Sequence, residues 1–409
     1  MTPAATCYQW HAMKRGTVAG LAILYVLGSG LVGFLDPTTT DLDLFFLPSA
    51  QVAAGGQPLH IYAVRQLTNV AAYANANGPL SLFPLAVVSW LGAHLGWLGQ
   101  TRWQHFLATS VFSILSLLMA REGVVATDRL RGKPLTGWRR ISAYALLAAS
   151  PLLWLSLIGY GHIEQALEVG LILLAVRTLV GRRHAPAGIA MGLAILARTS
   201  AVAYAIPLAL LVLIRRGPRQ AALMLAGTTV TVAIGLLPFL VADRANVVFS
   251  LLTSHGDLPV GQGSAWRVAQ GTSFESLAQH ADSLLVLLAA STISITVLLR
   301  RPDLDVDSTD LYALLAAVGV CLPFLSKTTW SYYFFEPGVF ATVWWLARPS
   351  WRRFRSWWPV AFLTGCATIA EAATGTANSM IGIGESLLAA VLLLGFIVVF
   401  AGRLAMRPT

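Results

Sequence analysis

Two aspartates, Asp41 and Asp43, stand at the point where the first long apolar stretch of the chain ends. Charged residues make up only 11% of the sequence, and Asp and Glu together number 18 against 28 Lys and Arg, so acidic groups beside an apolar stretch are scarce. One aspartate could cap a helix over the following segment 45–54, but a cap accounts for one of them better than for both. A carboxylate held beside a hydroxyl group can act as a general base, while its neighbour orients it or binds a cation.

A histidine and a glutamate lie together at the start of another apolar stretch. His162 and Glu164 follow Gly159 and Gly161, and the stretch then continues over 163–180. An ionisable residue inside a membrane span usually pairs with another group or faces a cavity. The alternative is a glutamate at the interface whose carboxylate points outward. We treat both residues as candidates for substrate binding and leave the interfacial role open for Glu164.

Two cations are candidates for binding a phosphate group. Lys327 precedes an aromatic run, in a region with few other Lys or Arg residues, and Arg198 interrupts the apolar stretch 186–214. Both residue types bind phosphate, and the planar guanidinium group can contact two oxygens at once. A membrane-interface belt would equally explain the aromatic run. The other candidates for substrate contact are aromatic or basic: Trp330, Tyr332, Tyr333, Arg267 and Tyr62.

The composition places these residues in an integral membrane protein. The 409-residue chain is 56% hydrophobic and has a mean hydropathy of +0.68, which is more apolar surface than a soluble domain of this length can bury. Apolar runs of roughly 17–25 residues, the length that crosses a bilayer as a helix, recur throughout. We predict an all-α, polytopic membrane helical bundle of about 10–12 transmembrane helices forming a single domain over 1–409. The clearest spans are near 17–35, 140–158, 163–180, 220–240, 283–299, 310–325, 332–347, 356–373 and 384–401.

Basic residues cluster between these spans, and the positive-inside rule makes those ends cytoplasmic. The opposite side then receives the outer loops 36–79 and 242–281. The region 80–120 holds two apolar stretches where parity requires an odd number of crossings, so one of them should not span. The 29 residues of 186–214 are too few for two crossings, which take about 40 residues. We therefore expect a short or broken hairpin whose midpoint is Arg198–Thr199–Ser200.

Other classes of protein are disfavoured. The net charge of +10 comes from the clusters between spans, so anionic membrane lipids rather than nucleic acid are the expected partners. The three cysteines, Cys7, Cys321 and Cys366, are too far apart in sequence to suggest a disulfide framework. The sequence has neither the His and Cys spacing of a metal site nor a phosphate-binding glycine loop. We predict no metal ligands and no certain cofactor, with a divalent cation left open.

Short motifs in a characteristic order give the chain a family resemblance. They are Asp41–Leu42–Asp43, Gly56–Gln57–Pro58 with Tyr62, the segment 73–79, Gly161–Glu164, Gly192–Arg198 and Ser326–Phe334. On these motifs the chain resembles the GT-C superfamily of polyprenyl-phosphate-sugar-dependent glycosyltransferases. It is most similar to the glycosyltransferase family 87 proteins and to the catalytic subunit of GPI mannosyltransferase I. Arginine replaces the usual lysine at 198, and tyrosines stand at 332 and 333 where family 87 often has histidine.

The resemblance implies a GT-C-type fold with an amphipathic helix and loops on the outer face. It also implies an inverting transfer of a hexose, mannose by analogy, from a polyprenyl-phosphate-sugar donor. The acceptor would be a hydroxyl group of a glycolipid or glycan at the extracytoplasmic face of the cell membrane. Asp43 would be the base, with Asp41 as the alternative, because the spacing from Asp43 to Ala50 matches the family pattern. Lys327 and Arg198 would bind the donor phosphate.

A different class of function remains open at this stage. A lipid-linked-sugar flippase or secondary transporter would also carry a broken hairpin and charges within the membrane. Transporters usually show paired halves and midplane charges, whereas this chain collects its polar residues towards one surface and shows no repeat. We therefore favour the transferase, and we expect a multi-pass monomer.

Overall fold

The structure is a computed structural model that describes residues 15–37, 41–67, 72–97, 100–150, 152, 161–254, 258, 260–261, 264–348, 358–375 and 380–405. Part of the outer loop 242–281 therefore lies outside the described residues. The helices within these ranges are α1 Arg15–Leu35, α2 Leu47–Ala54, α3 Phe83–His94, α4 Thr101–Leu130, α5 Gly137–Ala148, α6 Glu164–Val180, α7 His184–Ala197, α8 Ala201–Arg216, α9 Pro218–Val248, α10 Glu275–Arg300, α11 Thr309–Leu325, α12 Phe335–Ala347, α13 Trp358–Gly375 and α14 Met380–Ala405.

The predicted helical membrane bundle is confirmed, with one small addition. Two short strands, β1 Arg65–Leu67 and β2 Ala72–Ala74, pair antiparallel in the first outer loop. Among the described residues, five helical segments are long and apolar enough to cross a membrane: α1, α4, α9 continued to Thr253, α10 and most of α14. Other apolar helices are shorter, so the count of about 10–12 spans stays a prediction.

Burial separates the central helices from those that face lipid. In α11, 12 of 17 residues are buried, and in α12 it is 12 of 13, as expected for helices that are apolar on all sides and enclosed by others. In contrast, α1 and α9 expose most of the apolar window that would cross the membrane. An exposed apolar surface of this extent is stable only against lipid, which places these two helices at the edge of the bundle.

The two irregular regions fold as the sequence predicts. In the region 80–120, α3 has only 12 residues while α4 has 30, so α4 reaches across a bilayer and α3 is too short to do so. In the region 186–214, the chain breaks at Arg198–Thr199–Ser200 between α7 and α8. These helices have 14 and 16 residues, or about 21 and 24 Å, which is less than the hydrocarbon core.

Glycines bring α7 and α9 into close contact. A Cβ atom added at Gly188 would lie 2.0 Å from the carbonyl oxygen of Met224, and one added at Gly192 would lie 2.8 Å from that of Thr228. From the other side, a Cβ atom at Gly227 would lie 2.7 Å from the carbonyl oxygen of Ala185. Gly188 and Gly192 are four residues apart, the spacing that lets membrane helices approach closely. This contact fixes α7, and therefore the position of the break that carries Arg198.

Candidate active site

Five of the sequence motifs, including the segment 73–79, meet around one cavity of about 830 Å³. Its wall includes Asp41 from the acidic motif, His162 from the turn before α6, Arg198 from the break after α7, and Trp330, Tyr332 and Tyr333 from the aromatic run. A volume of this size is typical of cavities that hold a small-molecule ligand. The cavity therefore brings together residues that are far apart in the sequence.

Asp41, His162 and Glu164 form a continuous hydrogen-bonded chain. His162 Nε2 lies 3.0 Å from Asp41 Oδ2, and His162 Nδ1 lies 2.5 Å from Glu164 Oε1. Because both ring nitrogens contact carboxylates, the ring donates two hydrogen bonds and is an imidazolium. Burial lowers the pKa of His162, but the charges of Glu164 and Asp41, together with their hydrogen bonds, outweigh it and raise the pKa to about 9. Glu164 is itself buried and also accepts a hydrogen bond from Asn77 Nδ2 at 3.2 Å.

Aromatic packing and a glycine turn fix the histidine ring. The ring centroid of His162 lies 3.8 Å from that of Tyr332 and 5.4 Å from that of Phe46, which packs edge-on. Gly161 precedes the ring with φ +72, and a Cβ atom there would lie 2.5 Å from Leu42 Cβ. Only glycine suits both the left-handed backbone and this close approach. The turn therefore brings the segment carrying Asp41 directly against His162.

The π-helical turn Leu42–Phe46 explains why the two aspartates have different partners. Side chains two positions apart point to opposite sides of a helix. Asp41 points towards the cavity and makes no capping hydrogen bond, so the helix-cap interpretation does not describe it. Asp43 contacts His105 Nε2 with both oxygens, at 2.8 and 3.0 Å, and does not line the cavity. The structure thus reverses the preference for Asp43 over Asp41 as the group that faces the cavity.

Arg198 lines the cavity, and its side chain is held in place by the buried Glu336. Its Nη1 donates a hydrogen bond to Glu336 Oε1 at 2.5 Å. Its guanidinium carbon lies 5.6 Å from the ring centroid of Tyr332 and 5.7 Å from that of Tyr333. The group has five N–H donors, and its described side-chain hydrogen bond uses a single nitrogen. The remaining donors suit a phosphate group that enters the cavity.

Lys327 is not placed beside Arg198. Its side chain is fully buried, its Nζ donates a hydrogen bond to the carbonyl oxygen of Gln279 at 3.1 Å, and its backbone N–H donates to Asp282 Oδ2. The neighbouring Ser326 lines the cavity, but Lys327 does not. The residue holds the end of α11 against α10, so the geometry favours Arg198 alone as the cation for a phosphate group.

Two other candidates also lie behind the cavity wall. Tyr62 is fully buried, and its hydroxyl donates a hydrogen bond to the carbonyl oxygen of Asn77 at 3.1 Å. Arg267 is buried in the short helix Ala265–Ala269. Neither residue lines the cavity. Tyr62 supports the loop that presents Asn77, and direct substrate contact by either residue finds no support in this geometry.

Much of the cavity lining is apolar. This apolar wall comes from the π-helical turn Phe249–Thr253, from the segment after it, from α10 and from α11. The residues are Leu251, Leu252, Leu258, Val286, Leu287 and Leu322. A ligand that fits both walls has a charged or polar head and an apolar tail.

Two functional candidates were missed in the sequence. His105 gives no signal beyond a polar residue within an apolar stretch, and Glu336 lies in an apolar run whose contacts are set by tertiary packing. The rule that an ionisable residue inside a span is a functional candidate could have found Glu336, and it does single out Glu168, which shares a helical face with Glu164. Within the described ranges, no group of three or more His, Cys, Asp or Glu residues has the arrangement of a metal site.

Comparison with known proteins finds a likeness in structure but none in sequence. No protein-family model matches this chain, and no curated protein matches it. A crystal structure of ArnT from Cupriavidus metallidurans bound to undecaprenyl phosphate is similar in structure at 16% sequence identity and a TM-score of 0.49. The match covers 96% of this chain and 78% of that one. At this identity and TM-score, the likeness carries no conclusion about the function of this chain.

Proposed function

We propose that the chain is a membrane-embedded glycosyltransferase that moves a sugar from a polyprenyl-phosphate donor to an acceptor hydroxyl group. The observation that carries the proposal is that one cavity joins an oriented carboxylate, Asp41, to an arginine, Arg198, and to an extended apolar wall. These are the three features that a lipid-phosphate sugar donor and an alcohol acceptor require. The sequence motifs at these positions are those of the GT-C resemblance.

Asp41 is the proposed general base. Its Oδ2 is held by His162, which leaves Oδ1 for an acceptor hydroxyl group entering the cavity. The acceptor oxygen attacks the anomeric carbon as its proton passes to Asp41, and the bond from that carbon to the phosphate oxygen breaks. The hydrogen bond to His162 orients the Asp41 carboxylate, as a general base requires. A single displacement of this kind inverts the anomeric configuration.

Arg198 is the proposed partner of the donor phosphate. The leaving group is a lipid phosphate, whose oxygens gain negative charge as the glycosidic bond breaks. A fixed guanidinium group stabilises that charge without having to reorient during the reaction. The apolar wall of leucines and valine then holds the polyprenyl chain. Trp330 and Tyr332, whose rings are nearly parallel with 6.5 Å between centroids, offer flat surfaces for a sugar.

The finer features of the proposal come from the family resemblance. They are mannose as the sugar, a glycolipid or glycan as the acceptor, and a cavity that opens to the extracytoplasmic side. The hydrogen-bonded residues Asp41, His162 and Glu164 favour a transferase over a transporter, because a transporter does not need an oriented base. A flippase would move the lipid-linked sugar without forming a glycosidic bond, so the same assay separates the two functions.

The deciding experiment is transfer from a short-chain polyprenyl-phosphate-mannose by the purified protein. We expect Asp41→Asn to lose activity by at least ~100-fold, the size of a typical general-base contribution. Asp43→Asn is the matched control two residues away, and we expect it to keep most of the activity because Asp43 faces His105. Full activity of Asp41→Asn would remove Asp41 as the base. Movement of the donor across the bilayer by the wild type, with no new glycosidic bond, would replace the transferase by a carrier.

A further inference from the structure

Two carboxyl groups lie beneath the cavity and take no part in the transfer described above. Glu168 on α6 and Glu336 on α12 are both fully buried. Glu336 Oε1 accepts hydrogen bonds from Arg198 at 2.5 Å and from Gln165 Nε2 at 3.2 Å. Glu168 Oε1 accepts one from Ser200 Oγ at 3.1 Å. Both residues therefore contact the break between α7 and α8 or its arginine.

At most one of the two carboxyl groups is ionised. Glu336 contacts Arg198 and Glu168 contacts Ser200, two residues further along the same break, so both enclosed carboxyl groups lie beside the same arginine. The Oε2 atom of each is buried and receives no hydrogen bond from another described side chain. Two enclosed negative charges beside a single arginine would also be strongly unfavourable. In the unliganded protein, Arg198 and this pair together are therefore neutral.

Other titratable groups nearby leave the net charge of Arg198, Glu168 and Glu336 unchanged. Those that interact with the pair or with Arg198 come from four elements: Glu164 of α6, Tyr204 of α8, and Tyr332 and Tyr333 before α12, with His162 behind Glu164. The charge of Glu164 is matched by His162, which contacts it at 2.5 Å. The tyrosines are neutral in their ordinary state. No further cation among the described residues makes an ion pair with either glutamate.

We propose that Glu168 and Glu336 form a proton-binding site that fills when an anionic phosphate binds to Arg198. This inference rests on the proposed function, because it takes Arg198 as the phosphate partner. A phosphate diester brings one negative charge and draws the guanidinium group away from Glu336. A proton taken from water onto the pair then restores neutrality: arginine positive, diester negative, both carboxyl groups neutral. The proton returns to water when the ligand leaves.

The sign of the pH dependence follows from this exchange. Binding consumes a proton, so affinity for the diester falls as pH rises, by up to tenfold per pH unit for one proton. If Arg198 bound phosphate without proton uptake by Glu168 and Glu336, the affinity for a ligand of constant charge would not depend on pH. The glutamates act here as positioning and charge-compensating residues, since they do not touch the substrate.

The experiment is calorimetric titration of the purified full-length protein with geranyl methyl phosphate. This diester keeps a single negative charge between pH 6 and 9, so it contributes no protons of its own. Titrations in buffers of different ionisation enthalpy give the number of protons taken up. We expect uptake approaching about one proton per bound diester for the wild type. We expect no uptake and a pH-independent affinity for the double variant Glu168→Gln, Glu336→Gln.

Two controls separate the pair from other carboxylates. Glu122→Gln changes a glutamate that pairs with Arg177 on α6 and does not line the cavity, and Asp41→Asn removes the cavity carboxylate. Both should keep the wild-type proton uptake. Uptake that is lost in Asp41→Asn, or retained in the double variant, overturns the inference.

If the double variant does not fold, the proton uptake of the wild type still tests the inference. Diester binding without proton uptake overturns the inference and leaves the transferase proposal in place. No diester binding by the wild type overturns the phosphate role of Arg198, and both proposals with it.

Discussion

At the residue scale, the site depends on which of two near-identical side chains faces the cavity. Asp41 and Asp43 are separated by a single leucine, yet one contacts His162 and the other His105. The sequence identifies the acidic motif but not its rotation, because that rotation is set by the π-helical turn and by Gly161 packing on Leu42. Asp41 therefore faces the cavity, and Asp43 contacts α4.

The raised pKa of His162 makes a stability prediction. A histidine with a folded-state pKa of about 9, against about 6.5 when unfolded, stabilises the fold fully below pH 6.5. That contribution is lost as pH rises through 9, and its full size is about 3 kcal/mol. We expect His162→Gln to lower the thermal unfolding temperature in detergent at pH 6.5 and to flatten its dependence on pH between 6.5 and 9.

His280 provides the control for that measurement. It is an exposed histidine on α10 whose Nδ1 lies 2.9 Å from the carbonyl oxygen of Ser276 in the same helix, so His280→Gln should leave the unfolding temperature and its pH profile unchanged. A wild-type profile that is flat between pH 6.5 and 9 would show that the two carboxylates do not hold the histidine protonated.

Residues that the sequence could not place share a physical reason. Glu168 and Glu336 lie in apolar runs and Lys327 lies in a polar one, and the roles of all three follow from which helices pack beside them. In a sequence, a cation at the end of a span is equally compatible with ligand binding and with a contact between helices. Lys327 makes the contact between helices, because its Nζ donates a hydrogen bond to the carbonyl oxygen of Gln279. By contrast, Arg198 was predictable, because the length of 186–214 forces a break at that position.

At the scale of elements, a single turn couples the acidic motif to α6. Gly161 has φ +72 with Leu42 beside it, whereas Gly271 has φ +74 with nothing within 4 Å of an added Cβ atom. Gly161→Ala should therefore reduce transfer activity by roughly 10- to 100-fold, because it displaces Asp41 from His162. Gly271→Ala carries a similar backbone strain without the contact and should retain activity. Equal losses in both variants would assign the effect to strain and not to the contact with Leu42.

The contact between α7 and α9 is a second element that the chain depends on. Gly188→Ala places a methyl group against the Met224 carbonyl, so we expect a loss of about 1–3 kcal/mol in stability. Gly395→Ala on α14 meets nothing within 4 Å and should be neutral or slightly stabilising, since alanine favours helix. Thermal unfolding in the same detergent compares the two, and a neutral Gly188→Ala would contradict the tight contact.

At the scale of the whole molecule, the sequence predicted the bundle well because hydropathy and basic clusters both follow the bilayer. The orientation of the bundle is a prediction to be tested. In a cysteine-free background, Ser273→Cys beside α10 should react with a membrane-impermeant maleimide in intact cells. Lys133→Cys between α4 and α5 should react only after permeabilisation. Both positions are exposed, so the reverse pattern would turn the cavity towards the cytoplasm.

The length of α9 has a consequence for the cavity. Its 31 residues include the non-helical residue Asp243, and the part before that residue rises about 38 Å, more than the roughly 30 Å of a hydrocarbon core. The chain beyond Asp243 supplies Leu251 and Leu252 to the apolar wall. A thicker bilayer would draw more of this segment into its acyl region and change its tilt. We therefore expect the affinity for the donor to change when the protein is reconstituted in phosphatidylcholines of increasing acyl-chain length, although this segment does not contact the sugar.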